Sequence, residues 1–241
     1  MPIKFISVNI ERERHLDKIA NFFGDSQPDV VCLQEVTEKG MAILSDVAQY
    51  HSYFSPMSRK QLTEDNWDGV GILSRYPLIN PQTFQYAGTK ETPDLFDMTT
   101  VLSKRSTQRY LLQIFQVEIA AKRFTFGNTH FTWTPDGQAD DYQRGDLKNL
   151  FYYLQQYEPL VFAGDFNAPR GREIFSKFAE KYHDNVPSHY TTSLDENLHR
   201  CGYLPYMVDG LFSTPEYRVS DVELVFGVSD HAAIKATIDF A

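Results

Sequence analysis

The chain has little cysteine: only Cys32 and Cys201 occur among its 241 residues. This excludes the small, disulfide-dense scaffolds of many secreted domains. Cys32 lies in the apolar run of residues 30–33, where a small thiol is core filler more often than a nucleophile. Two cysteines could form one bridge, but free thiols in a reducing compartment are favoured. A chain of this length buries roughly 70–75% of its unfolded surface, so it needs no such bridge.

Long apolar runs are absent as well. No window approaches the ~20 apolar residues that a membrane-spanning helix requires. Residues 1–5 lack the basic segment and apolar core of a signal peptide. We therefore expect a soluble, cytoplasmic protein without a transmembrane segment. No internal repeat, low-complexity tract or linker occurs, so we predict one domain over residues 1–241. The sequence leaves the oligomeric state open.

Clustered positive charge is also scarce. The chain has 23 Lys and Arg against 32 Asp and Glu, which gives a formal net charge of −9 and a pI near 5.2. The longest basic cluster is Lys104-Arg105, with Arg109 nearby. Proteins that grip long duplexes present a basic face, because phosphate neutralisation supplies most of their affinity. The composition therefore argues against a protein that tracks long nucleic acids.

The chain does have many short β-branched and aromatic runs, which alternate with amphipathic segments. These runs predict strands at residues 2–9, 29–34, 53–56, 70–74, 99–103, 110–119, 123–130, 160–165, 206–212, 217–226 and 232–240. A period of 3.6 predicts helices at residues 14–23, 38–50, 139–157 and 171–181. Residues 120–122 are predicted to form a hairpin turn, residues 58–68 a polar loop and residues 85–97 an irregular segment. Because strands outnumber helices and often follow one another, we predict two packed mixed sheets flanked by helices.

Three of the apolar runs end in polar side chains. GDFN at residues 164–167, SDH at residues 229–231 and QE at residues 34–35 each lie directly behind such a run. Strand ends that converge at one rim would bring carboxylate, amide and imidazole groups together. Those groups are typical of a divalent-metal phosphoester hydrolase.

The order of these motifs resembles that of the endonuclease/exonuclease/phosphatase superfamily. The similarity also includes Asn9, a glycine-containing strand at residues 69–74, NTH at residues 128–130 and Asp209, and it runs from about residue 3 to residue 239. That superfamily includes pancreatic deoxyribonuclease, apurinic endonucleases of the exonuclease III type, inositol polyphosphate 5-phosphatases and neutral sphingomyelinases. The resemblance implies an α/β fold, a four-layered α/β sandwich. It also implies hydrolysis of phosphoesters by in-line attack of water with a divalent metal.

The resemblance assigns a metal site to three residues. Glu35 matches the chief metal ligand, and a hard cation such as Mg²⁺ needs only one or two carboxylates besides water and substrate oxygens. Mn²⁺ is the alternative ion. Asn9 matches an amide that supports the metal shell and a phosphate oxygen. Asp230 matches an additional acid near the metal.

The resemblance also assigns the proton transfer. His231 matches the general base that orients or deprotonates the attacking water, and the pKa of an ordinary histidine suits that task near neutrality. Asp209 matches the carboxylate that orients this imidazole. The superfamily commonly has tyrosine or histidine after that acid, whereas this chain has Gly210.

Three further residues match catalytic positions of the superfamily. Asp165 and Asn167 match groups that place the nucleophile and hold a phosphate oxygen. His130 matches the second histidine of the deoxyribonuclease and sphingomyelinase branches, which stabilises the pentacoordinate phosphate or protonates the leaving oxygen. The phosphate-binding set is therefore Asn9, Asn167, His130 and His231. The other histidines match nothing and are interpreted as surface residues: His15, His51, His183, His189 and His199.

Several functions remain open at this stage. A phosphodiesterase is favoured over a monoesterase because His130 follows the deoxyribonuclease and sphingomyelinase pattern. A small or short phosphoester substrate fits the charge, and an endo- or exonuclease acting on DNA or RNA is the alternative. The polar loop at residues 58–68 mixes basic and acidic residues with Trp67 and does not decide between them. An alternative of another class is a catalytically silent phosphate- or protein-binding module, which the complete set of expected groups disfavours.

Overall fold

The computed structural model describes residues 1–59, 67–89 and 95–241. Within these residues it contains twelve strands and five α-helices. The strands are β1 (Ile3–Asn9), β2 (Val30–Thr37), β3 (His51–Arg59), β4 (Trp67–Ser74), β5 (Ile79–Gly88), β6 (Arg109–Ile119), β7 (Lys122–His130), β8 (Val161–Asp165), β9 (His183–Asp184), β10 (Asp209–Ser213), β11 (Tyr217–Val225) and β12 (Ala233–Phe240). The helices are α1 (Leu16–Ser26), α2 (Glu38–Val47), α3 (Val101–Ser106), α4 (Asp141–Leu154) and α5 (Glu173–Lys181).

The strands form two six-stranded mixed sheets. The first sheet has the order β11-β12-β1-β2-β4-β3, and the second has the order β5-β6-β7-β8-β10-β9. Each sheet has one parallel pair at its centre, β1 with β2 and β7 with β8, and the neighbouring pairs are antiparallel. The mixed sheets that the consecutive strands predict are thus confirmed.

Three apolar cores separate four layers. One core lies between the sheets, where the rings of Phe5 in β1 and Phe126 in β7 stack with centroids 5.6 Å apart. A second core packs α1, through Phe23, against the outer face of the first sheet. The third packs α4 and α5, through Leu150 and Phe178, against the second sheet. The fold is the four-layered α/β sandwich that the resemblance implies.

The layering explains why the central strands are apolar on both faces. In β1, Phe5 belongs to the core between the sheets, whereas Ile6 and Val8 belong to the core under α1. In β2, Cys32 faces the second sheet and Leu33 faces the helices. A strand buried on both faces is encoded by a continuous apolar run. The same alternation turns the polar ends of these strands, Asn9 and Gln34 among them, toward the space between the sheets.

Two predicted elements differ from the structure. Residues 99–103 were predicted as a strand, but the chain forms α3 there because Thr100 and Ser103 make a reciprocal capping box at its start. Residues 75–88 include β5, a strand that the sequence pattern missed. It is an edge strand with two irregularities in its register and polar residues on its exposed face, so it lacks a continuous apolar run.

The predicted polar loop at residues 58–68 lies mostly outside the described residues. Its ends belong to strands, since Arg59 of β3 pairs with Trp67 of β4. The irregular segment predicted at residues 85–97 is likewise described only in part, and β5 extends into it. The hairpin turn predicted at residues 120–122 is confirmed, because Ile119 pairs with Lys122 and the two residues between them have positive φ.

The cysteines are free, as the sequence predicts. Cys32 is buried between the sheets and Cys201 is exposed. Burial raises the pKa of the Cys32 thiol, which is consistent with a packing role. Across the described ranges, no helix has both the length and the apolar character needed to cross a membrane.

Candidate active site

Three neighbouring strand ends of the second sheet place three polar side chains side by side. His130 at the end of β7 is the register partner of Asp165 at the end of β8. Asp165 is in turn the register partner of Asp209 at the start of β10. Because β10 runs antiparallel to β8, its first residue reaches the same rim that β8 reaches with its last.

Asp165 is the central residue of the cluster, and its carboxylate is almost fully buried. Its Oδ2 atom lies 3.1 Å from Nδ2 of Asn9, 3.4 Å from Nε2 of His130 and 3.9 Å from Nε2 of His231. Its Oδ1 atom accepts a hydrogen bond from the backbone N–H of Asn167 at 2.8 Å. One carboxylate thus contacts groups from both sheets and fixes their separation.

His231 and Asp209 form a buried pair. Nδ1 of His231 lies 2.8 Å from Oδ2 of Asp209, which fixes the ring and leaves Nε2 turned toward Asp165. Ser193 supports the pair, because its hydroxyl accepts the backbone N–H of Asp209 at 3.1 Å and its carbonyl accepts that of Ala232 at 2.8 Å. The geometry is that of an imidazole base with an orienting carboxylate.

The pKa values of both members of the pair are raised, for different reasons. Burial alone lowers the pKa of His231, but Asp209, Asp165 and Asp230 outweigh it, so the pKa lies well above that of an ordinary histidine. Burial raises the pKa of Asp209, and the neighbouring His231 opposes that shift. The imidazolium is therefore strongly stabilised here, which suits a group that accepts a proton during the reaction.

Glu35 enters the site through a local irregularity of β2. The register of β2 against β4 shifts between Gln34 and Val36, and Glu35 has φ +50. The bulge inserts one residue into the strand and redirects its side chain. Oε1 of Glu35 lies 3.4 Å from Nδ2 of Asn9, the same atom that donates to Asp165. The predicted strand at residues 29–34 ends before this bulge, so the sequence did not show how Glu35 is aimed.

The donor set fits a divalent cation. Glu35 and Asp165 both approach the single amide of Asn9, and Asp230 lines the same cavity. Glu35 and Asp165 repel each other across this amide, and a hard cation with oxygen ligands would relieve that repulsion. Asp165, Asp209 and His231 also lie within 4.8 Å of one another. Within that group Asp209 and His231 already contact each other at 2.8 Å.

These groups open into one cavity of about 660 Å³. It is lined by His130, Asp165, Asn167, Asp230 and His231 and by Glu35. Among the described residues, the structure thus gathers every residue predicted for the site around this cavity, with Asn9 and Asp209 buried behind it. Asn167 has φ +50 and donates through Nδ2 to the carbonyl of Phe131 at 2.9 Å.

Sequence reasoning missed several residues that line the cavity. His199, interpreted as a surface residue, is partly buried and lines the cavity; burial lowers its pKa, with His231 adding to the effect. Other lining residues without a predicted role are Glu11, Arg12, Asp68, Lys104, Trp133 and Arg200. Lys104 lies in α3, which the sequence pattern did not predict, and the others lie on connecting segments and a strand end whose side chains carry no periodic pattern.

A buried polar network joins the two sheets behind the site. Nε2 of Gln34 donates to Oδ1 of Asn128 at 2.8 Å. Nδ2 of Asn128 lies 3.1 Å from the carbonyl of Leu33, 3.0 Å from that of Gly71 and 3.0 Å from Oε1 of Gln113. Asn128 thus contacts two strands of the first sheet and one of its own, directly behind Glu35 and His130.

At two positions near the site, a residue larger than glycine would collide with neighbouring atoms. A side chain on Gly210 would meet the rings of Phe212 and Phe166 at 2.7 and 2.8 Å. Phe212 and Phe166 of the GDFN motif thus occupy the space beside Gly210. Gly164 has φ +156, and its missing Cβ would lie 1.9 Å from the carbonyl of Thr129. Only glycine lets β8 approach β7 closely enough to place Asp165 beside His130.

Two packed six-stranded sheets with this cluster at their shared rim define a metal-dependent phosphoester hydrolase. The chain belongs to the Endonuclease/Exonuclease/phosphatase family, whose model matches residues 6–231. No curated protein sequence matches the chain.

Solved structures share the fold over the whole chain. An endonuclease/exonuclease/phosphatase from Bacteroides vulgatus is 16% identical, with 100% of both chains covered and a TM-score of 0.73. The human Nocturnin catalytic domain with bound sulfate is 18% identical, with 100% of this chain and 94% of that chain covered and a TM-score of 0.72. A mannosyl-6-phosphatase from Bacteroides thetaiotaomicron is 13% identical, with 99% of this chain and 100% of that chain covered and a TM-score of 0.70. At these identities the comparison establishes the fold.

Proposed function

We propose that this protein is a Mg²⁺-dependent phosphodiesterase that hydrolyses small phosphoesters by direct attack of water. The observation that supports it most is the position of His231, held at Nδ1 by Asp209 and directed at Nε2 toward Asp165 in a cavity that Glu35 also lines. An oriented base, an acidic cation site and phosphate-sized space meet there. Those are the parts that in-line hydrolysis needs.

The base step follows from the hydrogen-bond pattern. With Asp209 accepting the proton of Nδ1, the neutral ring carries its lone pair on Nε2. Nε2 of His231 and Oδ2 of Asp165 are 3.9 Å apart, and both accept hydrogen bonds. A water between these two acceptors offers one proton to each and directs its oxygen lone pair away from them. His231 then removes the proton as the new P–O bond forms, and Asp209 stabilises the imidazolium.

Phosphate oxygens need donors, and the site offers them at three strand ends, those of β7, β8 and β1. His130 lines the cavity beside Asp165. Asn167 uses one N–H of its amide for the carbonyl of Phe131, and among the described residues the other N–H has no partner. Asn9 donates at the junction of Glu35 and Asp165. We assign His130 to the leaving-group side, where its proton can neutralise the departing oxygen.

Glu35, Asn9 and Asp230 are the residues that would hold Mg²⁺, or Mn²⁺ in its place. The bound ion would supply neutralisation of the charge that develops on the phosphorane and the leaving oxygen. Phosphoester hydrolysis is very slow without catalysis, so positioning and charge neutralisation together must lower the barrier by ~20 kcal/mol or more. The carboxylates of this chain contribute by concentrating that cation beside His231.

The size of the cavity favours small substrates. Its volume of about 660 Å³ lies within the roughly 300–1,000 Å³ typical of small-molecule sites. The net charge of −9 disfavours a long polyanion. Among proteins of the same fold, one is a mannosyl-6-phosphatase and another structure holds a sulfate anion, and both support a site for a phosphate-sized anion. A phosphodiester is preferred to a monoester because a leaving-group donor is present in His130.

The proposal is tested by turnover of bis-p-nitrophenyl phosphate and p-nitrophenyl phosphate with Mg²⁺, with Mn²⁺ and with a chelator. We expect metal-dependent release of nitrophenol, faster from the diester, and none after chelation. His231→Ala should abolish it, whereas His51→Ala, at an exposed histidine of β3, should not. Turnover that survives chelation would contradict the metal assignment. Phosphate binding without any turnover would identify a silent binding module.

A further inference from the structure

His199 is a cavity-lining residue that has no task in the hydrolysis proposed above. It lies in the irregular segment between β9 and β10, it is partly buried, and it shares the cavity with Asp230 and His231. The charges of His231 and Asp230 both act on its imidazole. His199 therefore lies on the side of the cavity that holds the proposed base, where a ligand in the cavity can reach it.

The position of His199 relative to that base is fixed by a short backbone pairing. Leu194 forms an antiparallel bridge with His231. The backbone N–H of Asp195 donates to the carbonyl of Asp230 at 2.8 Å. The residues just before His199 are thus held directly against the motif that carries the base.

Asp195 also shapes the turn that leads to His199. Its buried carboxylate accepts the backbone N–H of Asn197 at 2.9 Å through Oδ1 and that of Gly227 at 2.6 Å through Oδ2. The backbone N–H of His199 donates to the carbonyl of Asp195 at 2.8 Å. One buried residue therefore ties the turn of residues 195–199 to the segment that precedes β12 and holds His199 in place.

The imidazole of His199 has a defined hydrogen-bond pattern. The backbone N–H of Cys201 donates to its Nδ1 atom at 3.3 Å. A ring nitrogen that accepts a hydrogen bond carries no hydrogen, so the neutral ring carries its hydrogen on Nε2. Within the described part of the chain, Nε2 has no hydrogen-bond partner. The ring thus has one N–H group for a molecule in the cavity.

The surroundings of His199 also favour its neutral form. Burial lowers its pKa, and the charge of His231 adds to that effect. Protonation at Nδ1 would in addition replace the hydrogen bond from Cys201 by two N–H groups that face each other. A neutral donor is suited to this place, because His231 becomes a cation during the proposed reaction. It binds an anionic oxygen without repelling that cation.

We propose that His199 is a substrate-binding residue whose Nε2–H group donates to a non-bridging oxygen of the reacting phosphate. This role rests on the function proposed above. His130 is assigned there to the leaving oxygen, whereas His199 lies on the side of Asp230 and His231. A non-bridging oxygen of a phosphodiester is charged in the bound substrate and in the transition state. His199 therefore contributes mainly to substrate binding.

Three substitutions of His199 separate this role from a structural one. His199→Ala removes both ring nitrogens. His199→Asn places an amide where Nδ1 lies, so it can still accept the N–H of Cys201 but has no group that reaches the site of Nε2. His199→Gln places an amide N–H at the site of Nε2. His189→Ala, at an exposed histidine of the same irregular segment, is the control.

Two quantities are measured with Mg²⁺ present: the KM for bis-p-nitrophenyl phosphate and the affinity for methylphosphonate, which is not hydrolysed. We expect His199→Ala and His199→Asn to raise KM and to weaken methylphosphonate about 10-fold or more, because a hydrogen bond to a charged group is lost. The value of kcat should change by less than about 3-fold, as for an interaction made equally in substrate and transition state. His199→Gln should retain most of the wild-type affinity, and His189→Ala all of it.

The tautomer of His199 is measured independently of turnover. Long-range ¹H–¹⁵N correlation spectra of the wild-type protein identify the ring nitrogen that carries the hydrogen, and His199→Ala assigns the signal by its loss. We expect the hydrogen on Nε2. A hydrogen on Nδ1 alone would overturn the proposal, since the ring would then present a lone pair to the phosphate.

The outcomes also distinguish this role from the proposed function. Unchanged affinity of His199→Ala for methylphosphonate, or restored affinity in His199→Asn, refutes the donor role and leaves the phosphodiesterase standing. Binding that depends on His199 without turnover of the diester retains the donor and refutes the enzyme. If the wild-type protein neither binds methylphosphonate nor hydrolyses the diester, the phosphate site and the role of His199 are both refuted.

Discussion

Gln34 and Asn128 are hydrogen-bonded to each other at 2.8 Å across the interface between the two sheets. Gln34 precedes Glu35, the proposed metal ligand, and Asn128 lies two residues before His130, the proposed leaving-group donor. The two halves of the site are therefore joined by a buried amide pair as well as by Asn9 and Asp165. A shift of one sheet against the other would separate the metal ligand from the donor.

We expect Asn128→Ala to lower kcat by about 10-fold or more, because a misplacement of about 1 Å can cost 10²-fold in rate. It should also destabilise the fold by about 1–3 kcal/mol, since buried groups lose their partners. Asn185→Ala is the matched control. Asn185 also makes three donor contacts, to His183, Leu211 and Ser213, but at the far end of β10.

Thermal unfolding and kcat are measured for both asparagine variants. Comparable losses of stability with a loss of kcat confined to Asn128→Ala would support a positioning role. If Asn185→Ala loses as much kcat as Asn128→Ala, the activity follows global stability, and the link between the sheets has no special part in catalysis.

Glu35→Gln tests the cation site. The substitution keeps the shape of the side chain and removes one of the converging carboxylates, so we expect turnover to fall by orders of magnitude at millimolar Mg²⁺. The concentration of Mg²⁺ that gives half-maximal activity should rise. Glu38→Gln, at an exposed glutamate in the first turn of α2, is the control. Full activity of Glu35→Gln would show that the ion is held elsewhere, with the Asp165, Asp209 and His231 cluster the next site to test.

The site was predictable from sequence to the extent that its side chains end apolar strands. GDFN, SDH and QE follow such runs, and the topology of this fold brings the three motifs to one rim. The bulge that directs the Glu35 side chain into the site could not be predicted from the sequence, because it depends on the register of β2 against β4. The position of His199 in the cavity lining could not be predicted either, because an irregular segment has no period that would indicate which side chains point inward.

The fold was predictable for the same reason. The prediction was wrong where the local preference of a segment differs from the structure that its tertiary contacts stabilise. β1, β2 and β8 are buried on both faces and have continuous apolar runs. β5 is an edge strand with a mixed pattern. The two threonines before α3 and the valine at its start favour a strand locally, but the capping box and the ion pair of Arg105 with Asp146 stabilise a helix. The order of strands in each sheet is a long-range property that the sequence pattern does not contain.

Asp209→Asn tests the base through its pH dependence. Neutral imidazole is the active form, so the rate is lost as pH falls through the pKa of His231. Burial lowers that pKa, but Asp209, Asp165 and Asp230 raise it well above the ordinary value. Removing the charge of Asp209 lowers the pKa, so the acidic limb of the kcat profile should move to lower pH. The value of kcat on the plateau of the profile should fall by about 10²-fold or more, because the imidazole ring loses its orienting anion.

Profiles of kcat between about pH 5 and about pH 10 at saturating Mg²⁺ provide the measurement for this prediction. Asp221→Asn, at an exposed acid in β11, controls for the change in net charge. An acidic limb that stays in place in Asp209→Asn would mean that another group titrates in the profile, and His231 would lose its assignment as the base.

The salt dependence of KM separates a small-substrate enzyme from a nuclease. A protein that contacts 6–10 phosphates loses about 10³–10⁵ in affinity between about 50 and 200 mM salt, whereas one or two contacts correspond to roughly 3–12-fold. With a net charge of −9 and one cavity of small-molecule size, we expect the shallow dependence for a dinucleotide and an equally shallow one for a long oligonucleotide. KM is measured for both across that range. A steep slope together with strong preference for the long DNA would establish the nuclease alternative, because only many simultaneous phosphate contacts release that many counterions.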